Sequence, residues 1–236
     1  MGAAQTTRRV LVTGSSRGIG LELARQYGRK GYEVVATCRH PDAAEDLQAL
    51  ARANPAVTVH RLDVVSEPDL EQLAGTLAAT PIDILVCNAA VFGGNRARFA
   101  DVDWDAWARA FEVNVLGNMR VALRLWPNVA ASVERKIVFL SSRAGLPREA
   151  TPKRSYIYTS TKAALNSAAR ALALDLADEG VIAALVNPGH VQTGIGGAQA
   201  PMTPEQSVTK LRAVIESLTP ADAGKFLHFD GTEIPL

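Results

Sequence analysis

Seven short apolar runs alternate with helical-period segments along this chain, and that alternation most limits what it can fold into. The runs, at 9–13, 33–37, 57–62, 82–87, 136–140, 181–186 and 226–229, are rich in Val, Ile and Leu and show little polar alternation. A strand buried on both faces reads this way, because helices on each side of a sheet leave neither face to water. Between the runs lie 19–30, 43–53, 68–79, 104–132, 156–179 and 205–217, each with apolar residues at three- and four-residue spacing. The pattern predicts an α/β fold: a doubly wound, seven-stranded, mostly parallel sheet with helices on both faces and right-handed crossovers. Such sheets bind ligands beyond the carboxyl ends of their strands. The residues just after each strand are therefore the place to seek chemistry.

Composition narrows the partners. The 236 residues carry 25 Lys+Arg against 24 Asp+Glu, so no broad basic face for nucleic acid and no polybasic run for a membrane surface is expected. No apolar run approaches the roughly 18 residues of a spanning helix, and residues 1–9 hold no apolar signal core. The start Met1-Gly2-Ala3-Ala4-Gln5-Thr6 matches the loose myristoylation pattern and is read instead as a plain disordered terminus. Cys38 and Cys87 cannot frame a disulfide scaffold, and the four histidines are too scattered for a metal site. The expectation is one cytoplasmic domain spanning 1–236, with a small-molecule partner.

The first strand runs into Thr13-Gly14-Ser15-Ser16-Arg17-Gly18-Ile19-Gly20, which opens a helix. Phosphate oxygens need bare backbone amides, and glycine permits both the turn and the close approach. The spacing is neither G-x-G-x-x-G nor a P-loop, since no Gly-Lys-Ser/Thr follows. At the first strand-to-helix turn of a βαβ unit it predicts dinucleotide binding by Gly14, Ser16, Arg17, Gly18, Ile19 and Gly20. The second strand ends Ala36-Thr37-Cys38-Arg39-His40, with no acid until Asp42. A carboxylate there would hold the ribose hydroxyl of NAD, whereas Arg39, helped by Arg17, suits a 2′-phosphate; NADP(H) is favoured over NAD(H). Asp63 and Val64 follow the third strand, and Asn88, Ala89 and Ala90 the fourth, on the same ligand edge. Asp63 suits an adenine amino group or a turn cap, and Asn88 could bridge neighbouring strand ends.

Tyr158 and Lys162 stand four apart on a predicted helix and share a face. A free tyrosine near pKa 10 is a poor base, and an adjacent ammonium together with an oxidised nicotinamide ring is expected to lower that value. Ser141 and Ser142 end the fifth strand on the same edge, where a hydroxyl could donate to a carbonyl oxygen as it gains charge. No Gly-x-Ser-x-Gly elbow is present, so hydrolase chemistry is not expected.

These motifs together resemble the short-chain dehydrogenase/reductase family over nearly the whole chain. The matching features are the glycine loop at 13–20, Asn88-Ala89-Ala90 for an Asn-Ala-Gly triplet, Asn114 on a helix, a strand-end serine in Ser-Ser-x-x-Gly at 141–145, Tyr-x-x-x-Lys at 158–162, and Pro188-Gly189 followed by Thr193. Arg39, the stretch 158–166 and the ending at 224–235 look closest to sniffer-type carbonyl reductases and the bacterial C-factor branch. The resemblance implies a Rossmann-type fold and a catalytic tetrad of Asn114, Ser142, Tyr158 and Lys162. It implies that Tyr158 exchanges a proton with the substrate oxygen, Ser142 stabilises that oxygen, Lys162 holds the nicotinamide ribose and Asn114 retains a relay water. Pro188, Gly189, Val191 and Thr193 would contact the nicotinamide carboxamide, and 195–203 would form a substrate lid. The implied activity is hydride transfer between NADP(H) and a carbonyl or secondary alcohol, in a homodimer or homotetramer. A non-catalytic NADP(H)-binding regulator and an NAD-preferring alcohol dehydrogenase are the alternatives.

Two departures stand out. Ala90 replaces a glycine, which matters only if φ is positive there. Ser142 and Tyr158 are sixteen apart, and the extra residues fall in 146–155, a loop with Arg148, Lys153 and Arg154. Those cations are read as solvated, with attraction of an acidic substrate as the alternative. Cys87 is expected in the core and Cys38 more exposed; His190 is expected near the pocket. Trp104, Trp107 and Phe111 are expected in the core or a subunit interface.

Overall fold

The computed structural model describes residues 7–94, 101–150 and 155–236. Seven strands, β1 Arg9–Val12, β2 Glu33–Cys38, β3 Val57–Arg61, β4 Ile84–Cys87, β5 Lys136–Leu140, β6 Ile182–Asn187 and β7 Phe226–His228, form one sheet. The order is β3-β2-β1-β4-β5-β6-β7 and every neighbouring pair is parallel. The winding reverses between β1 and β4, which makes their carboxyl ends the switch point where a doubly wound sheet opens a crevice.

Alternate residues of each inner strand feed two separate cores. Leu11, Leu85, Ile137 and Leu185 pack with α3 Glu67–Thr76, α5 Asn118–Ala130 and α6 Tyr156–Ala177 on one face. Val12, Val86, Val138 and Val186 pack with α1 Gly18–Arg29, α2 Glu45–Ala53 and α7 Pro204–Ser217 on the other. Two-sided burial explains the near-continuous apolar runs, each buried Leu or Val contributing roughly 1.5–3 kcal/mol. Strand β3 departs from the pattern: Val57 is buried but Thr58 and Arg61 are exposed, because it is a sheet edge.

One predicted element is interrupted. Instead of a single helix over 104–132, α4 Trp104–Phe111 passes through a π-helical stretch, Glu112–Gly117, into α5. The Asn118 side chain enters the helical ladder there, donating to the Val113 and Asn114 carbonyls at 3.1 and 3.0 Å. A side chain inserted into the i→i−4 ladder is a recognised cause of such an irregularity, and π turns concentrate at functional positions. Among the described residues no helix is long and apolar enough to cross a membrane. The myristoylation-like start at 1–6, and Lys153 and Arg154, lie outside the described residues.

Candidate active site

The glycine loop is built for backbone exposure. Gly14 and Gly18 adopt φ of +69° and +58°, conformations that strain any residue with a Cβ. A Cβ on Gly20 would lie 2.4 Å from the Gly14 carbonyl oxygen and 2.6 Å from Asn88 Nδ2. Helix α1 starts at Gly18 with Arg17 as N-cap, no side chain capping its first turn and no acid within it. Its first amides and positive dipole end therefore face the sheet crevice, the arrangement that receives a phosphate anion. Asn88 bridges strand ends as its position implied, donating to the Thr13 and Gly14 carbonyls at 2.7 and 3.1 Å. Thr13 Oγ1 in turn accepts from the Asn88 and Ala89 amides at 2.9 and 3.0 Å, fixing the turn after β4. Ala90 is not among the positive-φ residues, so its methyl is tolerated.

Two cavities flank this loop. The larger, about 690 Å³, is lined by Ile19, Asn88 and Ala90 at one end and by Ser142, Tyr158 and Lys162 at the other, with Pro188, Gly189, Val191 and Thr193 along a wall. The smaller, about 430 Å³, is lined by Ser16, Arg17, Cys38 and Arg39, and also by Glu45 and Asp46 at the start of α2. The two arginines thus meet in one recess. The sequence pattern gives no sign of the two carboxylates, which open α2 past Asp42 and beyond the end of β2. Cys38 is buried, not exposed as expected, because β2 carries it inside the sheet. Asp63 accepts from the Val65 amide at 3.3 Å and pairs with Arg109 at 3.4 Å, so its carboxylate serves the local turn. The Val64 side chain is buried against Gly117, where a Cβ would lie 2.6 Å from it.

The reacting groups converge through local capping and packing. Ser155 caps α6 by accepting from the Tyr158 amide at 3.2 Å, which sets Tyr158 on the first turn. Lys162 follows one turn later, its Nζ 5.7 Å from the Tyr158 ring centroid and donating to the Leu140 carbonyl at 2.8 Å. Gly145 lets the strand-end turn sit directly on α6: a Cβ there would lie 2.6 Å from the Lys162 carbonyl carbon. The Ser142 hydroxyl accepts from the Ala144 amide at 3.1 Å and lines the same cavity as Tyr158, whereas the Ser141 hydroxyl is committed to Asn166 Oδ1.

Desolvation outweighs the expected effect of the ammonium. It pushes the Tyr158 phenol up to about 12, with the nearby Ser142 hydroxyl opposing, and brings Lys162 down to about 8. Tyr158 therefore holds its proton at neutral pH, with burial outweighing the ammonium that the sequence places beside it. Burial likewise pushes the Cys87 thiol up, which suits a core residue and not a redox thiol.

Asn114 is fully buried in the π stretch. Its amide clamps the Val91 backbone in both directions, accepting from Val91 N–H at 2.8 Å and donating to Val91 C=O at 2.9 Å. The same Nδ2 donates to Thr161 Oγ1 at 3.0 Å, so both amide hydrogens are engaged. Asn118 ties the Ala89 carbonyl at 3.0 Å. Asn118 gives no sequence signal, because an isolated amide has no periodicity and its partners are not read from spacing, and Asn166 enters the sequence pattern only as the end of the stretch 158–166. His190 lines the larger cavity, its Nε2 at 2.8 Å from the Gly196 carbonyl. Residues 191 and 202 bridge at the neck of the expected lid. Trp104 is 72% exposed and stacks on Trp107, so it is not a core residue.

Comparison with known proteins agrees with this fold. The structure is similar to the carbonyl reductase Sniffer of D. melanogaster, with a TM-score of 0.90 and 24% identity over 98% of this chain and 100% of that one, which bears out the fold. An NADPH-bound carbonyl reductase from chicken fatty liver matches with a TM-score of 0.90 and 25% identity over 98% of this chain and 99% of its own. The C-signal protein of Myxococcus xanthus is 36% identical over 166 residues, covering 70% of this chain and 99% of that one. The profile described as short chain dehydrogenase matches residues 8–203. The chain belongs to the short-chain dehydrogenase family and is an oxidoreductase of the Rossmann type.

Proposed function

We propose that this protein is an NADP(H)-dependent carbonyl reductase acting through Asn114, Ser142, Tyr158 and Lys162. The observation that carries the reading is the convergence of Ser142, Tyr158 and Lys162 in one cavity that also reaches the glycine loop. Nicotinamide, when bound, supplies or accepts the hydride. Tyr158, protonated at neutral pH, is suited to give its proton to the carbonyl oxygen as charge develops there. Ser142 donates to the same oxygen, and Lys162 holds the nicotinamide ribose hydroxyls. Asn114 fixes the wall beside Tyr158 and retains the relay water toward Lys162 through its remaining acceptor capacity.

The residues present fit the cofactor. Gly14, Ser16, Gly18, Ile19 and Gly20 would take the pyrophosphate, and Arg17 and Arg39 the 2′-phosphate. Asp63 and Val64 would border the adenine, Asn88, Ala89 and Ala90 the adjoining ribose edge, and Pro188, Gly189, Val191 and Thr193 the carboxamide. The NADPH held by the chicken carbonyl reductase supports this choice of cofactor. The reading includes a small carbonyl or alcohol substrate, a cytoplasmic site of action, and a homodimer or homotetramer. Exposed Trp104, Leu116, Leu123 and Tyr156 on or beside α4, α5 and α6 support the assembly.

The test is loss of NADPH absorbance with aldehydes, ketones and quinones. Turnover of at least one class, lost without NADPH, is expected. Tight NADPH binding with no turnover of any class would overturn the reading in favour of a binding-only protein.

A further inference from the structure

We infer that Phe92 is a specificity-determining residue of this site, its ring seated on Tyr158, and that it selects carbonyls bearing a flat, uncharged substituent. This rests on the carbonyl reductase reading above.

Phe92 lines the larger cavity and packs against the Tyr158 ring, with centroids 5.5 Å apart and planes at 36°. That separation lies in the range of favourable offset aromatic pairs. Its backbone is held from both sides. Val91, immediately before it, is gripped at N–H and C=O by the buried Asn114 amide. Gly93, immediately after, adopts φ of +79°, and a Cβ there would lie 2.2 Å from Ile157 Cγ2. With its backbone held and its ring already packed on Tyr158, Phe92 has less freedom to lose when a ligand arrives and acts as a preformed wall. A substrate oxygen at the Tyr158 hydroxyl places the groups flanking its carbonyl carbon beside Phe92. A planar substituent can stack there; a saturated ring of equal size cannot.

Charge at the cavity mouth points the same way. Arg143 follows Ser142 and would be a natural anchor for a carboxylate, but Glu149 holds it at 2.6 Å. The cavity lining also includes the apolar side chains of Ile195, Pro201 and Met202, against which an anionic group would lose hydration.

The experiment compares kcat/KM for benzaldehyde, cyclohexanecarbaldehyde and 4-carboxybenzaldehyde in the intact protein, in F92L and in F92Y. Comparing the ratio between the parent and each variant cancels the substrates' different intrinsic reactivities. The benzaldehyde-to-cyclohexanecarbaldehyde ratio should fall roughly 3- to 10-fold in F92L and stay within about twofold in F92Y, which keeps the ring. 4-Carboxybenzaldehyde should be at least about tenfold poorer than benzaldehyde in the parent protein. An unchanged ratio in F92L, an equal loss in F92L and F92Y, or undiminished use of the anionic aldehyde would overturn the assignment while leaving carbonyl reduction standing. No turnover of any of the three alongside the broader panel would overturn both.

Discussion

Lys162 Nζ lies 5.7 Å from the Tyr158 ring centroid while donating to the Leu140 carbonyl at 2.8 Å, so one buried ammonium serves both helix α6 and the end of β5. Burial lowers Lys162 to about 8 from 10.5. Between those values the unfolded chain binds more protons than the folded one, so stability rises with pH across that window. Below about pH 8 the full cost of holding a charge there is present.

Lys162→Met should therefore unfold at higher urea than the parent at pH 7, by up to about 2 kcal/mol, even after the Leu140 carbonyl loses its donor. The advantage should shrink between pH 8 and 10 as the parent sheds its proton, and reductase activity should be absent throughout. Urea melts at pH 7 and pH 9.5 check this; an advantage that grows with pH would contradict it.

Gly20 and Gly75 make opposite predictions for the same substitution. Gly20→Ala forces a methyl 2.4 Å from the Gly14 carbonyl oxygen, whereas Gly75 in α3 has nothing within 4 Å and an ordinary φ. Gly20→Ala should lose at least about 2 kcal/mol of stability and most NADPH affinity. Gly75→Ala should gain roughly 0.5–1 kcal/mol from helix propensity with NADPH affinity unchanged. Thermal unfolding and a fluorescence titration read both.

The recess beside β2 holds Arg17 and Arg39 together with Glu45 and Asp46. Arg39→Ala should weaken NADPH about 10-fold or more and leave NADH nearly unaffected, since only the former carries the 2′-phosphate. Glu45→Gln with Asp46→Asn should shift the NADPH-to-NADH affinity ratio upward by about 2- to 10-fold at low salt, less at high salt. Isothermal titration with both cofactors checks the pair. An equal change for NADH and NADPH would place the phosphate elsewhere.

Much of this architecture is legible in the linear chain because its signals are periodic or local. Two-sided burial writes continuous Val and Leu into β4, β5 and β6, and the four-residue step of a helix puts Tyr158 and Lys162 on one face. The glycine loop is legible because backbone geometry restricts those positions to glycine. Other features arise only when distant segments meet. The π stretch depends on Asn118 entering the ladder, which helix propensity does not encode. Phe92 reaches Tyr158, 66 positions later, through a clamp by Asn114 that no spacing rule describes. The raised Tyr158 pKa depends on how far the cavity excludes water, whereas sequence neighbours report only the ammonium.

The central claim is that Tyr158 transfers the proton, and Tyr158→Phe tests it most directly because it removes one hydroxyl and keeps the ring against Phe92. Single-turnover oxidation of bound NADPH by an accepted aldehyde should slow by roughly 100-fold or more, with NADPH affinity within about threefold of the parent. Near-parental turnover in that variant would contradict the account.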